Sequence, residues 1–131
     1  MALDWSADYV GIPYKINGRD RDGIDCWGLV RLVYQEQLGV EIPSYAGYYT
    51  DDKDHEGMAT AFDEGLPDWE SVSTPQEFDS IWLRILGIDC HTGIMLSNGR
   101  MLHAMIGADS CIVDISSRAW QRRVIGCYRL R

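Results

Sequence analysis

Apolar and polar positions follow two different periods in the two halves of this chain. Over 26–38, Leu29, Val30, Leu32, Val33 and Leu38 recur at the spacing of one helix face, and Gly39 follows as a stop signal. A shorter helix is predicted over 3–11, with Trp5, Tyr9 and Val10 turned inward. A third runs from His55 to Glu64, where Met58, Ala59, Ala61 and Phe62 share a side and His55 is exposed near the start. After residue 78 the period drops to two, clearest in Ile81, Leu83 and Ile85. Five strands are predicted, at about 79–86, 91–97, 100–106, 110–115 and 123–130. Helices first and strands after is the α+β pattern, an antiparallel sheet with a helix packed on one face. The segment between, about 40–78, is irregular at first, with Pro43, Tyr45, Tyr48 and Tyr49, and Trp69 and Val72 are expected to dock it on the sheet.

The strands at 91–97 and 100–106 meet through Ser97-Asn98-Gly99, and Asn-Gly between apolar runs is a strong hairpin signal. A two-residue loop would put His91 and His103 on opposite faces. A three-residue loop with Gly99 in the left-handed position of a bulge pairs His91 with Met105 and Gly93 with His103. Both histidines then share a face as diagonal neighbours, and Gly93 offers no side chain to block their approach. The bulged register is the one expected.

Asp25 is placed to cap the helix that begins at Cys26. In the first turn, unpaired backbone N–H groups and the positive end of the helix dipole favour a thiolate, which is the nucleophilic form. A cysteine alone is more simply read as core filling. With two histidines on one face, however, it makes a nucleophile, a base and an orienter. His91 would take the thiol proton and return it to a leaving amine, and His103 would hold the tautomer of His91.

These residues resemble the NlpC family of cell-wall cysteine peptidases, a compact branch of the papain-like superfamily. The resemblance runs through Pro13-Tyr14, the loop 15–22, Gly23-Ile24-Asp25-Cys26 with Gly28-Leu29-Val30, and the strand pair carrying His91 and His103, twelve positions apart. It covers roughly residues 5–39 and 78–130. It implies a fold in which N-terminal helices, with the catalytic cysteine at a helix start, pack on a five-stranded antiparallel sheet. It implies that Tyr14 lies close to the thiolate and helps a backbone N–H at the helix start to meet the oxyanion. The implied substrate is the stem peptide of bacterial peptidoglycan, cut between D-glutamate and the diamino acid, with no metal or organic cofactor. Three features depart from the family pattern. Phe78-Asp79 stands where a Gly-Asp pair is usual, Trp27 replaces a small residue, and Cys90 directly precedes His91. Cys90 reads either as a strand residue facing away or as an oxidation liability. The long 40–78 segment, aromatic and acidic, resembles the tail-assembly branch of long-tailed bacteriophages, with other tail-tip proteins as partners.

Composition fits this picture. The 131 residues make room for one domain, 1–131, with 40–78 as an insertion. Twelve Lys and Arg against 20 Asp and Glu give a net charge of −8, which argues against nucleic acid as a partner. In the loop 15–22, Lys15 and Arg19 are either part of a solvated rim or contacts for substrate carboxylates. The four cysteines show no zinc-ligand spacing. Cys111 and Cys127 read as core filling, with a disulfide between them an open alternative. No run is apolar enough to insert in a membrane, and the opening Met1-Ala2-Leu3-Asp4-Trp5-Ser6 lacks the pattern of an export signal. The expectation is therefore a wall-cutting enzyme carried in the virion tail. Two other readings stay open: a structural tail-tip subunit with little or no hydrolysis, and an amidase or acyltransferase using the same Cys-His-His site.

Overall fold

The computed structural model describes residues 4–51, 53–85, 88–97 and 99–131, and of residues 88–90 only the backbone. Helix α1 spans Cys26–Val33 and continues as a wider π-helical turn over Tyr34–Leu38, ended by Gly39 at φ 66°. Leu29, Val30 and Val33 are fully buried on its inner face, each contributing about 1.5–3 kcal/mol of apolar burial. Gly28 lies under the carbonyl of Gly18, where any Cβ would collide with backbone. The N-terminal segment forms one tight 3₁₀ stretch, Trp5–Tyr9, instead of an α-helix over 3–11. With three residues per turn, Ser6 and Tyr9 share the buried side. Val10 falls in extended backbone and is 48% exposed, contrary to the inward placement expected for it.

The strands are β1 (Arg19–Asp20), β2 (Gly23–Ile24), β3 (Trp69–Val72), β4 (Ser80–Ile85), β5 (Ile88–Met95), β6 (Arg100–His103), β7 (Cys111–Asp114) and β8 (Val124–Leu130). β1 and β2 form a small hairpin. Among the described residues the main sheet has six antiparallel strands in the order β3-β8-β4-β5-β6-β7. The strands expected after residue 78 are present, though β6 ends at His103 rather than near 106. β3 is an addition. Trp69 and Val72 do fix the insertion to the sheet, but as an edge strand laddered onto β8 from Trp69↔Leu130 to Val72↔Cys127. Four residues carry too short an alternation to announce a strand. Within the insertion, helix α2 spans His55–Gly65 with Asp54 as its cap, close to the helix expected at 55–64.

Both faces of the sheet are covered. Trp82, Ile94 and Leu102 belong to the core shared with α1, while Ile81, Leu83, Met95 and Met101 form a second cluster. Trp120 of the four-residue helix α3 (Arg118–Gln121) packs against that second cluster. Two bulges flank Leu83. On β5 the pairing steps from Leu83↔His91 to Arg84↔Asp89, leaving Cys90 as the extra residue. On β8 it steps from Trp82↔Gly126 to Leu83↔Val124, leaving Ile125 extra. Bulges bend a strand and re-aim its side chains, and one of these sits beside His91. The side chain of Cys90, and with it the expectation that it faces away, lies outside the described residues.

Phe78 explains its own departure from the Gly-Asp pattern. It adopts φ 74°, a left-handed conformation that glycine enters without steric cost. Here its ring stacks on Trp5, 4.7 Å between centroids, and its carbonyl accepts from the Tyr34 hydroxyl. The neighbouring Asp79 is buried and takes both Nε and Nη2 of Arg129 at 2.8 Å.

Candidate active site

The site has a charged end and a neutral end. At the charged end, Asp25 caps α1, its Oδ1 accepting from the Gly28 backbone N–H at 2.9 Å. Such a cap contributes about 1 kcal/mol. The carboxylate is 2% exposed and every oxygen is used. Oδ1 also accepts from Arg19 Nη1 at 2.7 Å, and Oδ2 accepts from the Asn17 backbone N–H at 2.9 Å and the Tyr49 hydroxyl at 2.6 Å. Burial and the charges of Asp25 and Cys26 push the Tyr49 phenol well up, so it stays a donor. Cys26, half-buried, is thereby fixed as the first residue of the helix.

Arg19 is turned inward onto the buried carboxylate. Besides Asp25 its guanidinium donates to the carbonyls of Gly18 and Ser44 and to the Tyr49 hydroxyl. What reads in sequence as one charge in a solvated rim is the counterion of a buried carboxylate. Lys15 is exposed and its stem lies against Gly23. Neither Lys15 nor Arg19 lines the cavity that holds Cys26.

The neutral end is the hairpin of β5 and β6. Ile94 pairs with Leu102 and Met95 with Met101, the bulged register, and Gly99 has φ 78°. His91 and His103 are both buried, and His91 Nε2 lies 2.9 Å from His103 Nδ1. Gly93 makes room differently from the expectation. A Cβ there would first strike the Met101 side chain, within 2.6 Å, so Met101 occupies the space that Gly93 leaves. Burial pushes His91 down to about 3, with His103 and Arg123 adding positive charge nearby, and burial pushes His103 down to about 4. Both rings are therefore neutral at pH 7, and His91 keeps an unprotonated nitrogen able to accept a proton. Nε2 faces His103, so Nδ1 is the ring nitrogen left to meet a thiol proton.

Cys26, His91, Tyr14 and Asp25 line one cavity of about 220 Å³. Its walls include Trp27, Tyr45, Phe62 and Trp69, so the insertion closes over the cysteine. Trp27, the second departure from the family pattern, belongs to that wall. Its indole N–H donates to the Pro43 carbonyl at 2.7 Å, and its ring meets Tyr45 and Trp69. Of the insertion's aromatic residues, Tyr49 and Trp69 are buried and Tyr48 is 40% exposed. His55 is exposed at the start of α2, as expected, and also reaches the cavity.

The sequence profile of the NlpC/P60 family matches residues 11–129. The chain belongs to the NlpC/P60 family. Among curated relatives, it is 26% identical over 121 residues to the murein DD-endopeptidase MepS/murein LD-carboxypeptidase of Escherichia coli K12, covering 92% of this chain and 57% of that protein. It is 27% identical over 122 residues to the gamma-DL-glutamyl hydrolase of Bacillus subtilis, covering 92% of this chain and 27% of that one. This NlpC/P60 chain thus spans little more than half the length of the first relative and about a quarter of the second. A crystal structure of an NLP/P60-family lipoprotein-like protein from Staphylococcus aureus superposes with a TM-score of 0.66 at 26% identity, covering 95% of this chain and 38% of that one.

Sequence reasoning missed Tyr49, Asn17 and Cys111 as parts of this site. Cys111, read as core filling, sits across the β6–β7 ladder from His103, its Sγ 3.6 Å from His103 Nε2. Four strand spacings separate β7 from β8, on the order of 19 Å, so no disulfide joins Cys111 to Cys127, and both are free thiols. Among the described residues no cluster of His, Cys, Asp or Glu is arranged to hold a metal, and no helix is long and apolar enough to cross a membrane.

Proposed function

We propose that this chain is a cysteine endopeptidase that hydrolyses amide bonds in the stem peptides of bacterial peptidoglycan. The observation that carries the reading is one cavity lined by a half-buried helix-start cysteine and a neutral histidine whose far nitrogen is held by a second histidine. In this reading His91 Nδ1 takes the Cys26 proton, and the thiolate attacks the carbonyl carbon. The oxyanion is met by backbone N–H at the start of α1, with Tyr14 beside it. Collapse breaks the C–N bond as His91 returns the proton to the leaving amine, leaving a thioester. Water, deprotonated by His91, then releases the acid and the free thiol.

The bond we assign is the one between D-glutamate and the diamino acid. The glutamyl hydrolase relative supports that choice, whereas the murein relative is named for a different peptidoglycan bond. The setting we infer is a bacteriophage tail tip, supported by the length and the aromatic, acidic character of 40–78. Tyr48, exposed on that segment, also fits a face for other tail proteins and keeps a structural role as the second reading.

The test is digestion of purified sacculi. Wild-type protein should release new amino termini that Cys26→Ala does not, and mass spectrometry of the fragments should show cleavage after D-glutamate. Release confined to the cross-link would replace the bond assignment, and no release at all would remove the enzymatic reading. Mass spectrometry of a virion that encodes the chain decides the setting.

A further inference from the structure

The proton chain through the two histidines has a third member. Cys111 faces His103 directly across the β6–β7 ladder, and its Sγ lies 3.6 Å from His103 Nε2, the ring nitrogen not used by His91. We propose that Cys111 is a positioning residue of this site. Its sulfur accepts the hydrogen bond from His103 Nε2–H and so supports the tautomers that leave His91 Nδ1 free to act as the base. The inference rests on His91 being the base.

The argument is one of donors and acceptors. For His91 Nδ1 to accept a proton, its hydrogen must be on Nε2, where it is donated to His103 Nδ1. The His103 hydrogen is then on Nε2, aimed at Cys111. A buried ring N–H needs an acceptor, and His103 is 3% exposed, so bulk water does not substitute. Trp120 packs edge-on against the His103 ring, 5.0 Å between centroids, and holds the ring plane that keeps Nε2 on the sulfur. Reversing every hydrogen gives the other consistent arrangement. His103 Nδ1–H would donate to His91 Nε2, and His91 would carry its hydrogen on Nδ1, where it could not deprotonate the thiol. Without an acceptor at position 111 only the reversed chain leaves no buried N–H unpaired. Cys111 thus supplies the acceptor that the competent arrangement needs, acting through His103 and touching neither substrate nor Cys26.

The experiment uses the full chain as wild type, Cys111→Val and Cys111→Ser. Nitrogen-15 NMR reads the histidine tautomers, and kcat and KM are measured on a soluble stem peptide. Wild type should show Nε2–H on both rings. Cys111→Val, which suits a strand but accepts no hydrogen bond, should move His103 toward Nδ1–H and lower kcat about tenfold or more with KM unchanged. Cys111→Ser, which keeps an acceptor, should retain Nε2–H and recover much of the rate. Unchanged tautomers and kcat in Cys111→Val would overturn the proposal. So would His103 found protonated on Nδ1 in wild type, a result that stands even where the valine variant fails to fold. Should wild type cleave no stem peptide, the enzymatic reading fails separately, and the tautomer spectra still decide this one.

Discussion

The two ends of the site solve opposite problems. Around Cys26 the chain buries a full negative charge, Asp25, and surrounds it with four donors, one of them the Arg19 guanidinium. Around His91 it buries two imidazoles and keeps both uncharged. A fixed ion pair makes the helix start rigid, which a nucleophile needs in order to be aimed. A base has to change charge during the reaction, so it is held by hydrogen bonds whose direction can follow the proton. Rigidity at one end and proton mobility at the other are supplied by different chemistry, and each end should fail in its own way.

Removing the base should have the largest effect. His91→Ala should lower turnover on stem peptides by about 10²–10⁴-fold, because the cavity loses the imidazole that His103 orients. Its thermal stability should change far less than its rate. Asp25→Ala should do the reverse, leaving the largely buried Arg19 charge unpaired at a cost of about 3–5 kcal/mol in a denaturant titration. Tyr49→Phe removes one hydrogen bond to that carboxylate and should cost about 1.5–3 kcal/mol by the same measurement. The two ends would not be distinct if Asp25→Ala lost activity while keeping wild-type stability.

The remaining effect is on pH dependence. His91 and His103 sit below the ordinary histidine value, so between about pH 6.5 and about pH 3–4 the unfolded chain binds more protons than the folded one. Their contribution to stability is complete above pH 6.5 and is lost as pH falls through that window. His103→Gln removes one titrating ring and should flatten the fall. It should also keep part of the activity, since glutamine can still offer His91 one hydrogen bond. A steeper fall in that variant would contradict the neutral pair.

The parts of the site that depend on local sequence were legible. Asp25 before an apolar helical run gave the cap and the helix start, and Ser97-Asn98-Gly99 gave the register that joins His91 to His103. What local pattern does not carry is partnership across the fold. Arg19 sits among Lys15, Asp20, Arg21 and Asp22, and nothing in such a run marks which charge turns inward. Cys111 meets His103 only through a further ladder whose register no turn motif announced. Trp27 looked anomalous because its partners, Pro43, Tyr45 and Trp69, come from an insertion whose path the sequence left open. β3 was hidden for a related reason, as an edge strand of four residues is defined by the strand it joins.

The central claim, that Cys26 is the nucleophile of this site, is tested most directly by competitive alkylation. The folded protein is treated with limiting iodoacetamide at a series of pH values, and the four cysteines are followed by peptide mass spectrometry. A thiol at a helix start with a neutral imidazole in the same cavity should react at neutral pH well ahead of Cys90, Cys111 and Cys127. In His91→Ala, its advantage should shrink. Equal labelling of all four cysteines in the folded protein, or a Cys26 rate that ignores the loss of His91, would contradict the account.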